Sequence, residues 1–149
     1  MSQEFKYIVR IADKDLPGDQ NLPYALARIK GIGVNTAMAI CRYLGLSPYT
    51  KLGTLSAEQI KKIDELVRDL TKINPPRWFV NRPRDPFTGE DRHLVGSDLI
   101  FAVKGDIEFL KKIKCWRGIR HALGLKVRGQ CTRTTGRTGI TVGVKRRKK

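Results

Sequence analysis

From Phe109 to Lys149 this chain contains fourteen lysines and arginines and no aspartate or glutamate. Residues 1–108 carry sixteen basic and fourteen acidic groups, so nearly all of the net charge of +16 lies in the last quarter. A segment of one sign repels itself, and beyond residue 123 glycines and threonines sit among the charges with no apolar periodicity from which to build a core. Such a segment calls for a polyanion. Nucleic acid is preferred to an anionic membrane, because the tail has no apolar face at helical spacing.

The remaining length, within 149 residues, suits one ordinary domain. No apolar run approaches the roughly 20 residues that cross a bilayer. The start, "MSQEFKYIVR", has no apolar signal core, so a cytoplasmic protein is expected. Cys41, Cys115 and Cys131 are odd in number and widely spaced, which argues against a disulfide framework. With His93 and His121 they show no paired-ligand spacing, so neither a metal nor any other cofactor is expected.

Periodicity predicts helices. "FKYIVRIA" alternates as a short strand or extended arm, followed by a turn at "DLPGDQN". Pro23 opens a short apolar helix that stops at Gly31, and "NTAMAICRYLG" makes a second with Ala37, Ile40, Cys41 and Leu44 on one face. Ser56 and Gln59 fit a capping box ahead of a stripe of Ile60, Ile63, Leu66, Val67 and Leu70. Residues 77–96 read as a long Pro-rich, charged loop. A fourth helix, from about Ser97, carries Leu99, Ile100, Val103, Ile107, Leu110 and Ile113 on one side, with a bend possible at Gly105. A shorter one runs from Trp116 to Leu123. The fold class is therefore all-α, with a helical domain over residues 1–123 and an extended basic tail over 124–149.

Three stretches could carry function. "KGIGVNTA" lacks the third glycine of a dinucleotide fingerprint, Thr36 standing in its place. It fits a helix-hairpin-helix-like turn, in which Gly31 and Gly33 allow close backbone approach, the next helix turns its amides to an anion, and Lys30 assists. A glycine turn chosen only for its backbone angles is the alternative. In "CWRGIRHALGLKVRGQ", Arg117, Arg120 and His121 occupy nearby helical turns and Arg128 follows, so their donors can converge on phosphates or base edges. Trp116 reads as a core anchor rather than a stacking platform. His121 has no neighbouring carboxylate to orient it as a base, and no catalytic pair is found. In the tail, Lys126, Arg128, Thr132, Arg133, Thr135, Arg137, Lys145, Arg146, Arg147, Lys148 and Lys149 can bond and neutralise a nucleic-acid backbone.

"RGIRHALGLKVRGQCTRTTGRTG", with "IKGIG" upstream, resembles the universal small-subunit ribosomal proteins numbered thirteen, eighteen in older eukaryotic schemes. The likeness runs from "YIVRIA" to the end, and the 77–96 loop and the final "TGRTGITVGVKRRKK" resemble the archaeal and eukaryotic branch. It implies a non-catalytic structural constituent of the ribosome with a helix-two-turns-helix domain in the head of the small subunit. It further implies binding to the small-subunit ribosomal RNA, pairing with the neighbouring protein numbered nineteen, contact with large-subunit bridge components, and a tail directed toward tRNA. Some DNA-repair glycosylases share the helical module, but they require a catalytic N-terminal residue and a second domain. A free-standing nucleic-acid-binding protein is the other rival.

Overall fold

The computed structural model describes residues 5–135. The chain divides into two compact units, Met1–Phe101 and Ala102–Lys149.

In the first unit, β1 (Ile8–Ile11) and β2 (Lys14–Pro17) form an antiparallel hairpin with Ile11 opposite Lys14 and Val9 opposite Leu16. Val9, Ile11 and Leu16 face the core while Ile8 and Arg10 face out, the alternation a half-buried strand requires. The all-α expectation is corrected here, since the described residues are mainly helical but include this two-stranded sheet. The expected turn at "DLPGDQN" supplies most of the second strand, and the chain reverses earlier, at Ala12 and Asp13. Both have positive φ, 48° and 61°, as a two-residue turn matched to strand twist demands. Alanine gives no signal for that turn, because its left-handed conformation is unfavourable by about 1–2 kcal/mol. The site is held from outside: the Ala12 amide donates to Asp64 Oδ1 at 2.7 Å.

Four further elements complete the core of this unit. α1 (Leu22–Leu26) has proline in its first turn, where a missing N–H matters least. α2 (Val34–Tyr43) buries Ala37, Ile40 and Cys41, the face the spacing predicts. A single 3-10 turn at Leu52–Thr54 leads to α3 (Ala57–Arg68). The capping box is present in both directions, Gln59 N–H to Ser56 Oγ at 3.2 Å and Ser56 N–H to Gln59 Oε1 at 3.0 Å. From the predicted stripe, Ile63, Leu66, Val67 and Leu70 are buried and Ile60 packs at the edge.

The 77–96 loop is built rather than loose. Arg82 and Arg92 exchange backbone hydrogen bonds of 3.1 and 3.0 Å, and Asp85 accepts from the Phe87 amide and from Arg82. The Phe87 amide first, and then the Arg82 guanidinium, hold the Asp85 carboxyl below the usual carboxylate range.

α4 (Gly96–Lys112) is continuous through Gly105, and α5 (Trp116–Ala122) follows. α4 has no buried residue: Leu99, Ile107 and Leu110 are half-buried, and Val103 and Ile113 are about half exposed. Its predicted stripe is therefore not a core stripe. Within the second unit, Gly118 packs on the α4 end so closely that a Cβ would lie 2.1 Å from the Leu110 carbonyl oxygen. Cys115 caps α5, its Sγ accepting from the Gly118 amide at 3.3 Å.

Because Asp64 receives both the strained Ala12 amide and Arg68 Nε, Asp64→Ala should destabilise the protein by about 1–3 kcal/mol, chiefly through the amide left unpaired. Equilibrium urea unfolding followed by circular dichroism measures this. A change below the fitting error would show that the hairpin turn is held by packing alone.

Candidate nucleic-acid interface

The glycine turn belongs to the first unit. Ile29 and Ile32 are buried in the core, at 2% and 5% exposure, so the residues between and after them must face elsewhere. Lys30 is exposed, and its carbonyl accepts from the Gly96 amide at 2.8 Å. Gly31 has φ +95°, and a Cβ there would lie 2.5 Å from the Leu94 carbonyl oxygen. Its close approach is thus made to the protein's own 94–95 backbone. Gly33 differs: it caps α2 in extended conformation, is exposed, and a Cβ added there would meet nothing within 4 Å. The first amides of α2, at the exposed Val34 and Asn35, have no helical acceptor before them and carry the positive end of the helix dipole.

His93 clamps this turn. It is 8% exposed; Nε2 lies 3.0 Å from the Gly31 carbonyl, and Nδ1 accepts the Asn81 amide at 3.3 Å. Only a neutral ring protonated on Nε2 satisfies both partners. Asn81 closes the clamp with two side-chain bonds to the Leu94 backbone, of 2.7 and 2.9 Å. Burial pushes the His93 pKa below its ordinary 6.5, against a smaller upward pull from the Gly31 carbonyl. Sequence reasoning assigned His93 no role, since nothing in a charged Pro-rich loop shows that its histidine turns inward.

The second group of cations belongs to the other unit. Arg117 and the partly exposed Arg120 and His121 occupy α5, and Lys126, Arg128, Thr132, Arg133 and Thr135 follow at the surface. Arg120 is brought to Lys126: its Nε donates to the Lys126 carbonyl at 2.9 Å, while the Leu125 amide donates to the Arg120 carbonyl at 3.0 Å. Thr135 Oγ1 donates to the Cys131 carbonyl. Arg137 and Lys145–Lys149 lie outside the described residues. Trp116 is not a core anchor. It is 71% exposed, with the Arg120 guanidinium 5.8 Å from its ring centroid. The i, i+4 spacing of an aromatic and an arginine, within an acid-free stretch, was the available signal for this arrangement.

Several first-unit cations meet local acids: Arg68 with Asp13 and Asp64, Arg77 with Asp91, and Arg92 with Glu90. Residues 109–135 hold eight lysines and arginines and no acid of their own. A mainly helical chain that gathers its cations in this way falls among the small basic proteins made to meet a polyanion.

Comparison with known proteins narrows the class. The family described as ribosomal protein S13/S18 matches residues 10–138. The small ribosomal subunit protein uS13 of Thermofilum pendens is 62% identical over 148 residues, covering 99% of this chain and 94% of that one. Its counterpart in Aeropyrum pernix is 58% identical over 144 residues, covering 97% and 96%, and that of Saccharolobus solfataricus is 57% identical over 148 residues, covering 99% and 90%. The chain belongs to the ribosomal protein S13/S18 family, in its archaeal form, a family of structural proteins rather than enzymes.

The His93 clamp carries a pH signature. Its contribution to stability is complete above about pH 6.5, the unfolded value, and is lost as pH falls through the lower folded value. Unfolding midpoints in urea at pH 7.5 and 5.0 should therefore converge when His93→Gln is compared with the parent. An unchanged difference between the two pH values would mean the ring carries no part of it.

Proposed function

We propose that this chain is a structural constituent of the small ribosomal subunit in the cytoplasm, placed in its head through a helix-two-turns-helix domain. It binds the small-subunit ribosomal RNA, pairs with the neighbouring protein numbered nineteen, reaches large-subunit bridge components, and extends its tail over residues 124–149 toward tRNA. The single observation that carries this reading is the acid-free series of exposed cations on and after α5. We assign RNA contacts to Arg117, Arg120, His121, Lys126, Arg128 and Arg133 of this series, to Thr132 and Thr135 between them, and to Arg137 and Lys145–Lys149 further along the sequence. Lys30 and the open α2 terminus at Gly33 supply a second phosphate contact, with Gly31 shaping the turn that presents them.

The Gly33 contact can be tested without disturbing the fold. Its φ of −97° and ψ of 172° suit valine, and the added side chain meets no neighbour. Gly33→Val should weaken binding to a small-subunit ribosomal RNA fragment about tenfold, on the order of one charge-assisted hydrogen bond, with the helical circular-dichroism signal intact. Unchanged affinity would leave the turn purely structural.

The assembly itself is tested by sedimentation with small subunits in high salt, where a constituent stays bound and a free-standing RNA-binding protein is released. The tail is tested by ending the chain after Gln130, which keeps the Arg120–Lys126 bond and removes Arg133, Arg137 and the five cations of 145–149. The plot of log affinity against log salt should flatten by roughly 0.7–0.9 for each phosphate that the truncated chain no longer neutralises. An unchanged slope would direct the tail away from that RNA.

A further inference from the structure

A tryptophan left 71% exposed at the first position of a helix is unusual, and the surroundings of Trp116 restrict what can cover it. Arg120, one turn on, lies over the ring at 5.8 Å and is itself fixed by the Lys126 carbonyl at 2.9 Å. That bond ties the Lys126 backbone to the guanidinium that lies over the ring, and the Lys126 and Arg128 side chains are exposed. The ring is thus preorganised, backed by a guanidinium, and set in a stretch of 27 residues, 109–135, with eight cations and no acid. A partner must offer a flat π-face at the ring and negative charge around it.

We infer that Trp116 is a stacking platform for an unpaired RNA base, with Arg120 steadying the ring and Lys126 and Arg128 taking the flanking phosphates. This rests on the RNA-binding reading above and names the form of RNA concerned. In a duplex the base faces are covered by their neighbours, whereas a base in a loop or single strand is free to stack on an aromatic side chain. Ile119 and Leu123, exposed at i+3 and i+7 from Trp116, extend an apolar strip beside the ring on which a second base or a ribose can lie. A protein partner would also accept an apolar strip, but the acid-free, basic sequence from 109 to 135 favours a polyanion.

The test uses the full chain carrying Trp78→Phe, so that Trp116 is the sole source of tryptophan emission. The probes are a twelve-nucleotide oligouridylate and a blunt twelve-base-pair RNA duplex of mixed sequence. The oligouridylate should quench the emission strongly and the duplex weakly. Trp116→Ala should weaken oligouridylate binding about 5- to 150-fold, the effect of losing one stacked base, while leaving the salt slope unchanged. Trp116→Phe should recover most of the loss. Lys126→Ala with Arg128→Ala should instead flatten the salt slope. Equal affinity of the Trp116→Ala and parent chains, with the lysine–arginine effect still present, overturns the platform and leaves RNA binding standing; the strip then faces protein. Equal quenching by duplex and single strand also overturns it. Absence of salt-dependent binding to either probe refutes the RNA-binding reading itself. If Trp116→Ala loses helix by circular dichroism, the quenching and the Trp116→Phe affinity decide.

Discussion

Burial of one apolar cluster is the interaction on which the first unit depends. The hairpin contributes Ile11 and Leu16, α2 contributes Ile40, and α3 contributes Ile63 and Val67, all at 1% exposure or less. The core dictates the glycine turn as well. With Ile29 and Ile32 drawn inward, Lys30 and Gly33 are turned out, and Gly31 is pressed against the backbone of Leu94. The long loop is recruited to the same end, since His93 meets the turn at the Gly31 carbonyl and three bonds from Asn81 to His93 and Leu94 hold that histidine in place. A buried, fully paired imidazole is a costly group to leave unsatisfied, which makes the clamp specific rather than merely adhesive.

The second unit obeys the opposite constraint. Among its described residues only Gly118 is buried, and after Glu108 its sequence carries lysines and arginines but no aspartate or glutamate. Its order comes from backbone devices: the Cys115 cap, the tight approach of Gly118 to α4, and the turn after α5 held by Arg120 and Leu125. Such devices need little apolar area, so they survive in a segment that like-charge repulsion keeps from collapsing. They also leave side chains outward, including large apolar ones that a self-contained domain would cover.

Several elements were legible from residue order alone. The third helix announced its start through Ser56 and Gln59 and its inner face through the spacing of Ile63, Leu66 and Val67, because capping and amphipathicity are local properties; Leu70, expected on the same helix, is buried from a 3-10 turn that follows it. The proline in the first turn of α1 and the glycines that follow α2 and α5, Gly45 and Gly124, were readable for the same reason, whereas α1 ends at Leu26, five residues before the expected stop at Gly31, because Ile29 is drawn into the core through a turn instead. The hairpin was not. Its turn residues, Ala12 and Asp13, are held in left-handed geometry with help from Asp64, 52 residues away from Ala12, and no local pattern encodes that.

Charge segregation, the cation positions and the family likeness lay in the sequence, because they depend on which residues are present and in what order. Which of them face a ligand was decided by tertiary packing. Gly31 and Gly33 look alike in "KGIG", yet one is spent on a contact with Leu94 and the other stands open. Trp116 and Arg120 are four residues apart on paper, but only the fold exposes the ring and pins the guanidinium to Lys126. Local chemistry is written along the chain; solvent exposure depends on which distant segments arrive to cover it, and that is a property of the packed structure.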